Sequence, residues 1–180
     1  AGNLFWTDAD GAGPEERLTT GDRHQQPQFV TPDGHFLVYH EDSPGTGYDL
    51  WMLPLQGSRV PKPLLQTKFN ERLAGLSRDG RYMAYVSDEA GRDEVWVRMF
   101  PEGPGAIQVS NSGGTGPVWA PDQGTLFYRD LTGSRLFAVP VAWEPAPSFG
   151  TPTVTNGRWV KETPYGRFYD ITPDGKRFIM

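Results

Sequence analysis

A four-residue turn motif recurs four times along the chain, and it restricts the possible folds more than any other feature. Each copy is centred on an aspartate, and the copies are Thr31-Pro32-Asp33-Gly34, Ser77-Arg78-Asp79-Gly80, Ala120-Pro121-Asp122-Gln123 and Thr172-Pro173-Asp174-Gly175. The aspartates lie 46, 43 and 52 residues apart. Proline presets the backbone for a turn, an aspartate side chain caps nearby N–H groups, and glycine accepts the positive φ that follows. Each copy therefore predicts a tight turn between strands, whose structural residues are Asp33, Gly34, Asp79, Gly80, Asp122, Asp174 and Gly175.

Each turn is followed by an apolar segment in constant register. Three of these segments end in a tyrosine six residues after the aspartate (Tyr39, Tyr85 and Tyr128), and the fourth keeps Phe178. A second motif lies further along each repeat and always has an aromatic residue at its third position (Phe5, Trp51, Trp96 and Phe137). A weaker apolar stretch follows it at 63–65, 106–109 and 152–154. Short polar links between these segments predict four antiparallel strands in every repeat.

A four-stranded unit repeated every ~40–50 residues is typical of an all-β fold, the β-propeller. We predict that residues 1–180 form a single propeller segment with about four blades' worth of sheet. An outer half-blade spans 1–26, three blades span 27–70, 71–113 and 114–163, and an inner half-blade spans 164–180. The recurring aromatics are expected to pack between blades.

The terminal half-blades are complementary, which leaves two arrangements open. If they pair, the chain closes into a four-bladed ring. If they do not, it is an arc of a larger propeller whose exposed blade edges favour a homodimer. We favour the arc, because four blades is the lower limit for propellers. The C-terminal residues 177–180 read as a strand in progress, so we expect the chain to belong to something longer.

Composition excludes several classes of function. A net charge of −5 without a dense basic stripe argues against binding nucleic acid. The absence of cysteine excludes disulfides and thiolate chemistry. No segment approaches the ~20 apolar residues that would cross a bilayer, so we expect no membrane contact by this segment.

No motif predicts catalysis or metal binding. The loop at His40-Glu41-Asp42 is interpreted as solvated charge, because a metal site needs converging ligands with supporting hydrogen bonds. Asp8-Ala9-Asp10-Gly11 resembles the start of a calcium loop, but Ala12 and Gly13 stand where ligands are required. None of the serines considered as nucleophiles lies in a Gly-x-Ser-x-Gly elbow (Ser43, Ser77, Ser87 and Ser110). We therefore predict no enzyme activity, no cofactor and no metal.

An irregular insertion from Trp143 to Arg167 lies outside the repeated motifs. Its aromatic residues Trp143, Trp159 and Tyr165 are candidates for contact with a partner, because long loops in compact domains often carry function. A packed lid is the alternative interpretation.

The repeats resemble those of TolB-like and WD-repeat-like β-propellers. Five segments carry a narrower resemblance to the C-terminal propeller that follows bacterial serine/threonine kinase domains: 91–98, 113–119, 126–129, 137–141 and 169–178. Gln123 stands where that family has glycine, so the geometry of its turn is open, and Arg78 replaces a proline.

The resemblance implies a non-catalytic binding module for a protein or peptide. It further implies the sensor part of a bacterial envelope signalling protein, in a periplasmic or extracytoplasmic location. Two alternatives remain open: the gating propeller of a prolyl-oligopeptidase-like peptidase, and a binder of a small ligand or carbohydrate in the central channel.

Overall fold

A computed structural model of the chain describes residues 2–155 and 169–179. These residues form strands and turns without any helix, and consequently no helix among them is suited to crossing a bilayer. The chain divides into two compact units, Ala1–Glu71 and Arg72–Met180.

The first unit contains two antiparallel sheets. A two-stranded sheet pairs β1 (Phe5–Trp6) with β2 (Glu16–Arg17). A four-stranded sheet has the order β3-β4-β5-β6, with bounds Gln25–Val30, Phe36–Ser43, Gly47–Pro54 and Lys62–Leu65. Strands that are consecutive in the chain are neighbours in this sheet, as the short links predict.

The second unit repeats this arrangement. One sheet has the order β7-β8-β9-β10, with bounds Glu71–Leu76, Tyr82–Ser87, Glu94–Met99 and Ile107–Gln108. The next contains β11 (Thr115–Trp119), β12 (Thr125–Arg129) and β13 (Leu136–Ala142), and two short strands, β14 (Ser148–Phe149) and β15 (Thr153–Val154), both pair with β13. A last two-stranded sheet pairs β16 (Asp170–Ile171) with β17 (Phe178–Ile179).

The two sequence motifs meet across the middle of each sheet. The tyrosine that follows the turn lies opposite the aromatic residue of the second motif, in the pairs Tyr39 with Trp51, Tyr85 with Trp96 and Tyr128 with Phe137. In the last pair the rings stack at 5.1 Å between centroids. All three tyrosines are buried. One register therefore recurs in all three sheets, because directly opposed side chains on antiparallel strands interact most strongly.

Within each unit the sheets pack face to face. Leu4, directly before β1, joins Leu37, Tyr39 and Leu53 of the second sheet in one apolar cluster. In the second unit, Val95 and Val97 of β9 pack against residues of the next sheet, including Leu126 and Val139. Burying one apolar sheet face against the next is the main favourable term for such a repeat.

The last sheet, β16 with β17, packs against the sheet of β11, β12 and β13 in the same way. Val118 and Leu136 cluster with Tyr169, and the ring of Phe127 meets that of Phe178 edge to face at 4.9 Å. Phe5 occupies the aromatic position of the first sheet and is 54% exposed. Trp51 and Phe137 each pack against a cluster that joins residues of their own sheet to residues that precede it in the chain. The predicted inter-blade packing of the aromatics therefore holds for Trp51 and Phe137 and not for Phe5.

The all-β, partial β-propeller fold predicted from the repeats is confirmed. The residue-by-residue division into blades stays a prediction, as does the choice between an arc and a ring closed by its terminal half-blades. Trp159 and Tyr165 lie outside the described residues.

Candidate functional site

The four aspartate turns share one geometry. In each, the N–H of the fourth motif residue donates to the carbonyl of the first at 2.8–2.9 Å (Gly34 to Thr31, Gly80 to Ser77, Gln123 to Ala120, Gly175 to Thr172). The aspartate Oδ1 accepts from the backbone N–H two residues later at 2.9–3.1 Å (His35, Arg81, Gly124, Lys176). Each turn is thus held by a backbone and a side-chain hydrogen bond, as short polar side chains do in turns.

Gln123 adopts the turn of its copy despite lacking a glycine. Its φ is 60°, in the left-handed region that the other three copies fill with glycine at φ 70–73°. Its side-chain Oε1 accepts from the N–H of Asp79 at 3.2 Å, which links the turn to that of the preceding sheet. The geometry left open by the sequence is therefore the standard one, and this hydrogen bond offsets part of the strain of a non-glycine residue there.

The four turns differ in whether the second aspartate oxygen, Oδ2, contacts a side chain. Asp33 Oδ2 lies 3.2 Å from His35 Nδ1, and Asp79 Oδ2 accepts from Arg81 Nε at 2.5 Å. Asp122 and Asp174 have no such partner for Oδ2 among residues 2–155 and 169–179. Hydrogen bonds from the Thr172 hydroxyl and then the Lys176 N–H lower the pKa of Asp174, which favours its carboxylate form.

Asp122 and Asp174 line a groove of about 410 Å³ at the turn end of the second unit. Its apolar surface comes from Pro121, Phe127 and Ile171, all of them half-buried. Arg78 completes its rim, with Nη1 at 3.4 Å from the carbonyl of Pro121. The groove therefore combines an apolar lining with one cationic and two anionic side chains.

A second groove, of about 680 Å³, runs along the first sheet in the other unit. Two of its lining residues engage each other and a neighbour: the Trp6 indole donates to Glu16, and Arg59, outside the lining, pairs with Glu16 and stacks 4.7 Å from the Trp6 ring. The carboxylates of Asp8 and Glu15 also line this groove.

Trp143 lies beside the turn-end groove and packs between two sheets. Its ring is 4.8 Å from that of Tyr82 and 5.7 Å from that of Trp119, centroid to centroid. Its indole N–H donates to the carbonyl of Gln123 at 2.9 Å. Of the two interpretations left open for this residue, the geometry supports the packed one; its role in partner contact stays a prediction, as do those of Trp159 and Tyr165.

Two buried carboxylates, Asp49 and Glu94, were not identified as candidate site residues from the sequence motifs. Glu94 is fully buried and accepts from the Ser110 hydroxyl, the Gly113 N–H at 2.9 Å and Arg92 Nε at 2.8 Å. Asp49 has the same place in the sheet before it, and its Oδ2 accepts from Gln66 at 2.9 Å. Their signal in the sequence was the polar first position of the second motif, which lies inside β5 for Asp49 and begins β9 for Glu94. Their hydrogen bonds connect the third strand of each sheet to the segment that follows the fourth strand.

Three residues of the two loops that the sequence suggested for metal binding make local contacts instead. His40 is buried, with its ring 4.8 Å from that of Tyr48, and Glu41 accepts from Gln25 at 2.6 Å. Asp10 accepts from the N–H of Ala12 at 2.9 Å, within its own turn. In the described part of the chain, no three His, Asp or Glu side chains are grouped closely enough to hold a metal ion.

Comparison with known proteins supports the fold and leaves the activity open. No protein-family model and no curated protein matches this sequence. Among solved structures, TolB from Acinetobacter baumannii matches 98% of this chain with a TM-score of 0.70 and 15% identity. A protein described as TolB from Agrobacterium tumefaciens matches 94% with a TM-score of 0.64 and 16% identity. A puromycin-hydrolysing peptidase from Mycobacterium tuberculosis matches 81% with a TM-score of 0.56 and 13% identity.

This chain spans 42%, 64% and 26% of those three structures respectively. At such identities the likeness establishes the fold, which is a propeller like that of TolB, and the predicted resemblance to TolB-like repeats is confirmed. The narrower resemblance to kinase-associated propellers stays a prediction.

Proposed function

We propose that this TolB-like partial propeller is a non-catalytic binding module whose turn-end groove holds a segment of a partner protein or peptide. The observation that carries the proposal is the groove itself, which combines a half-buried apolar patch with two carboxylates that form no ion pair among the described residues. Its volume of about 410 Å³ falls within the ~300–1,000 Å³ typical of ligand sites, and such sites combine an apolar lining with a few polar groups.

Rigid turns support a binding role in preference to a structural accident. The groove is built from turns that backbone and side-chain hydrogen bonds hold in place. Preorganised surfaces lose little conformational entropy when a ligand binds. Binding and recognition residues lie disproportionately on loops that a rigid scaffold positions.

Selection from a random peptide display library tests the proposal. Recovered peptides would be measured by fluorescence anisotropy against the full chain and two variants. Thr125→Trp fills the groove that Thr125 lines, whereas Thr153→Trp places the same side chain on exposed β15 of the same sheet. We expect Thr125→Trp to weaken binding at least ~10-fold and Thr153→Trp to leave it unchanged. Recovery of no binding peptide, or equal binding by both variants, would contradict the proposal.

The gating propeller of a prolyl-oligopeptidase-like peptidase is a second candidate. The structural likeness to the Mycobacterium tuberculosis peptidase favours it. A gate admits peptides without retaining them, so this candidate expects no selected peptide to bind the isolated chain. Its encoding gene would also carry a hydrolase domain with a Gly-x-Ser-x-Gly elbow.

Within the binding proposal, a role as the extracytoplasmic sensor of a bacterial envelope signalling protein rests on the sequence resemblance alone. The encoded sequence upstream of this chain tests it. A kinase domain followed by one apolar span supports the sensor, and any other arrangement counts against it.

A further inference from the structure

Among residues 2–155 and 169–179, the two carboxylates of the turn-end groove form no ion pair, and the reason can be traced to single residues. The residue two positions after the aspartate is His35 in the first copy and Arg81 in the second, and each side chain contacts its aspartate Oδ2. In the third copy this residue is Gly124, which has no side chain to offer. In the described part of the chain, Asp122 Oδ2 therefore lacks the side-chain contact that Oδ2 makes in the two earlier turns.

Asp174 Oδ2 also lacks a side-chain contact from the residue two positions later, although that residue is not a glycine. The residue two positions later is Lys176, whose backbone N–H donates to Oδ1 at 3.1 Å. No ion pair among the described residues joins the Lys176 ammonium group to this carboxylate. Both aspartates that line the groove thus present an anionic oxygen that the turn does not use.

Arg78 does not cancel this charge. Its guanidinium contacts the carbonyl of Pro121, and no ion pair in the described residues links it to Asp122 or Asp174. The three rim charges sum to a net negative value. All three side chains are exposed, so dissolved salt screens their attraction for a charged ligand.

We propose that the groove selects a peptide segment in which an arginine or lysine adjoins a bulky apolar residue. The inference rests on the proposed function and names its ligand. The apolar side chain packs on Phe127 and Ile171, while the basic group donates to Oδ2 of Asp122 and Asp174. Arginine is preferred to lysine, because its planar guanidinium offers several donors in a fixed arrangement. A phosphate or acidic peptide is disfavoured by the same two carboxylates.

Matched synthetic peptides test this inference. The probe is a fluorescein-labelled nonapeptide, Gly-Ser-Gly-Leu-Arg-Leu-Gly-Ser-Gly, and three versions replace its arginine by lysine, citrulline or glutamate. Citrulline keeps the shape of arginine without the charge. We expect the arginine peptide to bind at least ~10-fold more tightly than the citrulline peptide, with the glutamate peptide weakest. Binding of the arginine peptide should weaken between about 50 mM and 500 mM NaCl.

Variants of the protein assign the effect to the groove. Asp122→Asn and Asp174→Asn keep Oδ1 as the turn acceptor and remove the charge, so far-ultraviolet circular dichroism should be unchanged. Each should weaken the arginine peptide about 3- to 10-fold and leave the citrulline peptide unaffected. Asp33→Asn is the matched control, because it makes the same change in an equivalent turn outside the groove, and it should have no effect.

The outcomes separate this inference from the proposed function. If Thr125→Trp abolishes binding while the two asparagine variants bind normally, or if citrulline matches arginine, the groove binds peptides but the preference for basic residues is wrong. If none of the four nonapeptides and no selected peptide binds, both are wrong. If the arginine peptide binds and only Asp122→Asn and Asp174→Asn weaken it, both are supported.

Discussion

Replacing Trp143 by alanine should weaken the packing between two successive sheets of the second unit. The side chain is half-buried, and its ring contacts Tyr82 of one sheet and Trp119 of the next. Truncating a fully buried Phe or Trp costs about 3–5 kcal/mol, so half burial corresponds to roughly 2 kcal/mol. Loss of the hydrogen bond to the Gln123 carbonyl adds about 1 kcal/mol. We expect Trp143→Ala to lower the free energy of unfolding by about 3 kcal/mol.

Urea titration followed by circular dichroism measures this loss. Trp143→Phe keeps a ring and removes only the N–H donor and part of the contact area, so it should lower the free energy of unfolding by about 1 kcal/mol. The control is Val154→Ala on β15 of the same sheet, a side chain that is 53% exposed, with an expected change within about 0.5 kcal/mol. If Trp143→Ala were as stable as Val154→Ala, the ring would not be packed, and the argument from its contacts would be refuted.

Three further predictions concern single contacts. Gly34→Ala should lower the free energy of unfolding by about 1 kcal/mol in urea titration, because φ is +72° while the new Cβ meets no atom within 4 Å; an unchanged midpoint would contradict the turn geometry. Glu94→Gln should be less destabilising than Glu94→Ala, by about 1–3 kcal/mol, because glutamine keeps an acceptor for the Gly113 N–H; equal losses would show that the buried acceptor does not matter. Hydrogen bonds from the Thr31 hydroxyl and the His35 N–H lower the pKa of Asp33, so its stabilising effect is present above the unfolded-state pKa and is lost as pH falls through the folded-state pKa. Urea titrations at about pH 6 and about pH 2.5 should therefore show the difference between wild type and Asp33→Asn shrinking in acid, and a difference that grows would contradict this sign.

Local features of the fold could be predicted from the sequence, because turns and strands depend on residues close together in the chain. The Asp-Gly turns and the tyrosine six residues after them predict hairpins and buried strands directly. Even Gln123, which departs from the motif, adopts the expected turn, because the flanking strands and the contact with Asp79 impose a positive φ.

The candidate site could not be predicted in the same way. The groove joins Asp122 and Asp174, which are 52 residues apart, and only the packing of one sheet on the next brings them together. Gly124 is visible in the sequence, but whether a distant side chain pairs with Asp122 depends on the packing, and no ion pair among the described residues does so. Trp143 similarly belongs to an irregular loop whose position no repeat specifies, and Tyr82, its ring partner, lies 61 residues away.

Nuclear Overhauser effects between protons of successive sheets would test the stacked arrangement most directly. The contacts predict cross-peaks between the rings of Trp143 and Tyr82, and between the Trp119 indole N–H and the α-protons of Gly75, whose carbonyl it meets at 3.1 Å. In the Trp143→Phe variant the signals of the Trp143 indole disappear, which identifies the cross-peaks between Trp143 and Tyr82. Observation of both sets supports four-stranded sheets packed face to face. Their absence, together with α-proton cross-peaks that join β7 to β11 edge to edge in one continuous sheet, would contradict the propeller.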